Sequence, residues 1–227
     1  MLCTRVLLMI RMTLLLALLA GPTASSFAQD PYAVAPQAYQ KQLENEFVRV
    51  TRVHYAPHEN LAEHGHPGRP TIYVYLKDGG PVLFKHEHGD SGAMAAIRPP
   101  IKAGSYRIAL GRNETHVVDN QSDVPSDFLQ VELKTDIDPK TFSGRRFRDP
   151  ADQVQDSSKV EFETPQIRIV RLTCKEAPAC ASVAGSLTNP TLQIATDTGE
   201  TSWLTPHAAG LSRPGGEYVL VEFKQAD

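Results

Sequence analysis

Cysteine, clustered positive charge, long apolar runs and helical periodicity are all scarce in this 227-residue chain. There are three cysteines, Cys3, Cys174 and Cys180, and the last two lack the C-x-x-C spacing of a redox-active dithiol. Lysine and arginine cluster only in the short run Arg145-Arg146-Phe147-Arg148, which reads as solvated surface. Nucleic acid and anionic membranes are therefore poor partners. The strongly apolar stretch from Met12 to Ala20 begins after Arg11 and falls short of the roughly 20 residues a bilayer span needs. No long apolar stripe of helical period is present, which argues against an all-helical fold.

What the apolar stretch does fit is a secretory signal peptide over residues 1–28. Arg5 and Arg11 precede it, Gly21-Pro22 follow it, and a small-residue run ends Ser26-Phe27-Ala28, so cleavage is expected after Ala28. Cleavage removes two arginines, Cys3 and no acid, leaving 21 basic against 26 acidic residues, a net charge of −5. The expected location is periplasmic or secreted. There Cys174 and Cys180 are expected to form one local disulfide around Lys175-Glu176-Ala177-Pro178-Ala179. A content of 41% hydrophobic and 22% charged residues suits one or two globular domains and not a disordered chain.

The two halves of the mature chain match. Leu43-Glu44-Asn45-Glu46-Phe47-Val48-Arg49-Val50-Thr51-Arg52-Val53 aligns with Phe162-Glu163-Thr164-Pro165-Gln166-Ile167-Arg168-Ile169-Val170-Arg171-Leu172, glutamate on glutamate and arginine on arginine. Pro70 to Val74 is echoed by Pro190 to Ile194, and Phe128 to Lys134 by Tyr218 to Lys224. Short alternating runs broken by glycine and proline make these strands, so the expectation is an all-β protein with an internal repeat. The repeats span residues 43–135 and 160–227. A polar linker at 136–159 joins them, with room for one helical turn, and a lead segment at 29–42 lies across the surface or adds an edge element.

Three histidines stand out. Side chains two apart share one face of a strand, so His64 and His66 can grip one ion from a single strand. His116 completes the set from a second strand. The stretch resembles the paired motifs of the cupin family, with His64-Gly65-His66 as the first and Gly104 through His116, followed by Asn120, as the second. Asn113 stands where the family usually has glycine, which predicts a positive φ there. The family's metal-binding glutamate is missing: Thr71 occupies its place. The resemblance implies a cupin barrel, a double-stranded β-helix of jelly-roll type, duplicated, with a shortened second copy and a three-histidine site without a carboxylate. In that second copy Ala184 and Ser186 stand where His64 and His66 do, so only His207 is left near a motif position and the site is degenerate. Its difference in length corresponds to the hairpin Phe84 to Ile101.

Three neutral imidazoles suit iron, manganese, zinc, nickel or copper and leave coordination positions open. If the following strand turns Thr71, Tyr73 and Tyr75 inward, Thr71 can hydrogen-bond a metal-bound water and Tyr73 can line a pocket. Glu59, with His58, can fold over the mouth, and Asn120 fits a turn or a residue that steadies His116. His86-Glu87-His88 has the same spacing as the site but precedes Gly89-Asp90-Ser91-Gly92, which reads as the exposed tip of a hairpin. His54 reads as a half-buried strand residue. Three functions are compatible with these residues: a metal-dependent enzyme of dioxygenase type acting on a small polar molecule, a periplasmic module that binds a small ligand or metal without turnover, and a structural scaffold. A homodimer is compatible with the resemblance.

Overall fold

The structure is a computed structural model that describes residues 29–90, 92–141, 146–151, 156–211 and 215–224. The expected signal peptide and Arg145 lie outside the described residues.

Runs rich in valine, isoleucine, tyrosine and threonine extend because β-branched and aromatic side chains pack well on a pleated surface. The strands are β1 (Tyr39–Glu44), β2 (Val48–Tyr55), β3 (Asn60–His66), β4 (Thr71–Tyr75), β5 (Val82–Gly89), β6 (Met94–Arg98), β7 (Tyr106–Ala109), β8 (Glu114–Asn120), β9 (Ser126–Leu133), β10 (Phe147–Arg148), β11 (Ser157–Glu163), β12 (Ile167–Cys174), β13 (Thr191–Ala195), β14 (Thr201–Leu204) and β15 (Gly216–Phe223). Among the described residues they are accompanied by helices α1 (Pro31–Val34) and α2 (Ala177–Ser186) and by a 3-10 turn at Pro139–Thr141. The first sheet runs β1-β2-β9-β4-β7-β10, the second β3-β8-β5-β6 and the third β11-β12-β15-β13-β14.

Alternation along the central strands explains how the sheets stack. On β9, which is buried at every residue, Leu129, Val131 and Leu133 face the third sheet, while Phe128 faces the second. On β4, Ile72 and Val74 pack toward the third sheet and Tyr73 and Tyr75 toward the second. The first and third sheets share one core with Ile167, Ile169, Leu192, Ile194 and Val221. Helix α2 covers the far face of the third sheet through Cys180 and neighbours packed on Val170, Leu172 and Leu220. The Cys174–Cys180 disulfide ties the end of β12 to the first turns of α2. The residues between the cysteines are thus part of a helix and not only a loop.

The internal repeat is a repeat of one sheet. Strand order β1-β2-β9-β4-β7 corresponds to β11-β12-β15-β13-β14. Registers agree as well: Val48 faces Leu133 where Ile167 faces Phe223, and Thr71 faces Glu132 where Thr191 faces Glu222. Even the bulge recurs, between Lys41 and Leu43 and between Val160 and Phe162. The halves differ by more than the hairpin expected from the sequence, because the second half has no counterpart of the whole second sheet among the described residues. Helix α2 takes that place and carries Ala184 and Ser186, and His207 is exposed with φ 55°.

Two further expectations change. The segment read as linker supplies β10, which pairs with β7 at the edge of the first sheet, so Phe147 and Arg148 are half-buried and not solvated surface. Positive φ falls on Gly111, at 84°, and not on Asn113. A Cβ on Gly111 would lie 2.3 Å from the Arg69 carbonyl, whereas Asn113 uses its side chain to accept the Gly68 N–H at 2.9 Å.

Candidate metal centre

The second sheet aligns the histidines. In the β3–β8 pairing His64 lies directly opposite His116, and the extra residue on β3 between Leu61 and His64 brings His64 to the inner face that Leu61, Val118 and His116 share. His66 lies opposite Glu114 in the same ladder. One nitrogen from each of His64, His66 and His116 lies within 4.8 Å of the others, and the ring centroids are 4.8 to 5.1 Å apart. His64 and His116 are buried and His66 half-buried.

Burial keeps these rings neutral. Desolvation lowers His64, takes His66 down to about 3 with help from His64, and takes His116 down to about 2 with help from its neighbouring histidines. Tautomers follow from partners. A carbonyl only accepts, so the 2.8 Å contact to Ala62 places the His64 proton on Nδ1 and leaves the Nε2 lone pair free. That lone pair faces the Tyr39 hydroxyl at 2.8 Å, and Tyr39 Oη is in turn 3.0 Å from Tyr55 Oη. His116 is different: both of its ring nitrogens are buried with no hydrogen-bond partner. A buried unpaired nitrogen costs on the order of 1–3 kcal/mol, so two of them on one ring beside two neutral imidazoles fit a metal ion well.

The surroundings include residues not anticipated from the sequence. His86 is not an exposed hairpin tip. It lies directly opposite His116 across the β5–β8 pairing, its ring 5.3 Å from that of His116 and its side chain only 11% exposed. Val82, Phe84 and His86 alternate inward, a signal present in the sequence but outweighed by the turn residues that follow. Glu114 places carboxylate oxygens 3.5 Å from His86 Nδ1 and 3.7 Å from His116 Nδ1, and burial raises its pKa above the ordinary carboxylate value. His86, Glu114 and His116 form a second group close enough to share an ion, sharing one imidazole with the first. Tyr39 was hidden in the lead segment, whose last four residues enter β1.

The remaining expected residues divide. Tyr73 and Tyr75 line a cavity of about 670 Å³ that also touches His66, His86, Glu114 and His116. Thr71 is buried, and its hydroxyl donates to the Arg69 carbonyl at 3.0 Å. Glu59 accepts the Ala56 N–H at 2.7 Å and so holds the β2–β3 turn, while His58 pairs with Asp123. Asn120 is buried and donates to the Ala56 and Val124 carbonyls at 2.8 and 3.2 Å, clamping that turn to the one after β8. His54 is exposed on β2 and not half-buried.

Comparisons agree on architecture. No family model matches the chain, and no curated protein matches it. Solved structures do. The protein YhaK from Escherichia coli superposes with a TM-score of 0.51 at 11% identity, covering 89% of this chain and 100% of that one. A cupin domain from Bordetella pertussis has a TM-score of 0.33 at 22% identity, covering 43% of this chain and 92% of its own. A variant of salicylate 1,2-dioxygenase from Pseudoaminobacter salicylatoxidans has a TM-score of 0.42 at 9% identity, covering 85% of this chain and 79% of its own. At these identities the likeness is one of fold. The chain has the cupin fold, a double-stranded β-helix, and carries a histidine triad of metal-ligating geometry on its inner face. No helix among the described residues is long and apolar enough to cross a membrane.

Proposed function

We propose that this is an exported cupin-fold metalloprotein in which His64, His66 and His116 hold one divalent transition-metal ion for chemistry on a small polar molecule. The observation that carries the reading is His116, whose two ring nitrogens are buried without partners beside two imidazoles kept neutral by burial. Iron, manganese, zinc, nickel and copper all accept such ligands. Bound there, a metal supplies Lewis acidity or, if redox-active, a site for dioxygen.

The chain's own residues supply the rest. The cavity beside the triad admits substrate, its aromatic walls Tyr55, Tyr73, Phe84 and Phe128 exclude water from the reacting end, and Glu114 can hold a proton on its carboxylate next to His116. That carboxylate favours turnover over passive binding, since a general acid or base beside the site is what a binding module would not need. The reading as a non-catalytic binding module shares the same triad and is separated by turnover alone. Residues 160–227 we read as a degenerate copy of the first half whose role is to cover the outer face of the first sheet.

The test is metal analysis of residues 29–227 purified without chelator, beside a His64→Ala/His66→Ala double variant. Near-stoichiometric metal in the parent and its loss in the variant is the expected result. A parent that stays metal-free after reconstitution with each of the five metals overturns the proposal.

A further inference from the structure

Arginine is expensive to bury, and this protein neutralises nearly every arginine it brings inside. Arg49 is bound by Glu132, Arg52 by Asp127, Arg168 by Glu222, and Arg171 by Glu161 and Glu217. Arg98 breaks the pattern. It sits at the end of β6 with its guanidinium 5.4 Å over the Tyr75 ring and 5.7 Å over that of Phe128. Its polar partners are hydroxyls, Ser126 at 2.8 Å from Nη2 and the Tyr75 side chain, and its Nε is buried without a partner. Among the described residues no carboxylate lies within 4 Å of it. Arg107, level with Tyr73 in the β4–β7 pairing, also has no carboxylate partner there and places its guanidinium 4.6 Å over the Tyr73 ring. Both arginines line the cavity that His66 and His116 line. Glu114 on the same wall reaches Arg107 only at longer range, so neither guanidinium has a direct ion pair and the two form a site for an anion.

The rest of the wall tells which anion. Tyr55, Tyr73, Tyr75, Phe84, Phe128 and Phe147 surround the same space. Along the inner face of β9, Arg98 bonds Ser126 and His66 approaches Gln130 at 3.5 Å. Four residues of strand separate those levels, roughly 13 Å at about 3.4 Å per residue, with Phe128 between them. That span accepts one flat ring. We propose that the cavity binds a small aromatic carboxylate, its anion on Arg98 with Arg107 at the flank and its ring among the aromatic side chains. The proposal names the substrate class of the site described above, and it rests on the metal reading only for what happens at the other end of the ligand.

The experiment is calorimetric titration of the mature chain, metal-free and metal-loaded, with benzoate, benzamide, acetate and inorganic phosphate. Benzoate is expected to bind at least about tenfold more tightly than the other three, the loss for benzamide being that of a charge-assisted hydrogen bond. Arg98→Met should weaken benzoate by about tenfold or more without changing benzamide, and Arg107→Met should weaken it less. Arg98→Lys should restore part of the loss, which a merely packing role would not do. Equal binding of benzoate and benzamide, phosphate or acetate binding as tightly as benzoate, or an Arg98→Met variant with parental benzoate affinity would overturn the proposal. The His64→Ala/His66→Ala variant keeps the two readings apart, because it should lose metal and still bind benzoate through its arginines.

Discussion

At the scale of single residues, the site shows which side chains periodicity can reveal and which need the fold. His64 and His66 were legible because strand alternation puts them on one face whatever the sheet, and His116 because its spacing matched a known pattern. His86 was not, since its place opposite His116 is set by the β5–β8 register, a pairing between distant segments. Tyr39 was invisible for the same reason: nothing in its own neighbourhood says that β1 brings its hydroxyl to His64. That hydroxyl has a testable consequence. It occupies the one lone pair that His64 can offer, so Tyr39→Phe removes a competitor for Nε2. The variant is expected to bind metal roughly 2- to 10-fold more tightly, the worth of one net hydrogen bond, as measured by competition with a chelating dye. Weaker binding would instead make the Tyr39 oxygen part of the metal's own shell.

At the scale of elements, alternation predicted strands well and failed at one helix. The stretch from Ala177 to Ser186 is rich in alanine and serine with no apolar stripe, so neither period dominates it. Its helical state is a tertiary outcome, fixed by Cys180 and Leu187 packing on the third sheet and by the bond from Cys180 to Cys174. The disulfide therefore acts on α2 and the end of β12, while the triad sits two sheets away. A Cys174→Ser/Cys180→Ser variant is expected to lose about 2 kcal/mol of stability, the order of magnitude for closing so short a loop. Denaturant melts would show this. Metal stoichiometry should not change, and a variant that lost metal along with stability would mean that α2 and the barrel are coupled more tightly than their separation suggests.

At the scale of the whole molecule, the repeat explains why so much of the chain is buried. Sequence comparison showed that the halves match, yet only the structure shows that the matching part is one sheet and that the two copies bury their apolar faces against each other. The first sheet is therefore covered on both sides, with Tyr39, Tyr55, Tyr75 and Tyr106 buried and Tyr73 on the cavity wall. Burial raises Tyr39, takes Tyr55 up to about 12, and pushes Tyr73 and Tyr106 higher still. A group whose folded value lies above its unfolded value of about 10 contributes stability that is complete below that pH and lost as pH rises toward the folded value. Those four tyrosines of the first sheet should resist ionisation until the protein opens. In a titration followed by tyrosinate absorbance, these four should ionise only in one steep step that coincides with loss of the β-sheet circular dichroism signal. A gradual rise in which all seven ionise near pH 10 with the fold intact would mean that burial between the sheets does not hold these phenols neutral.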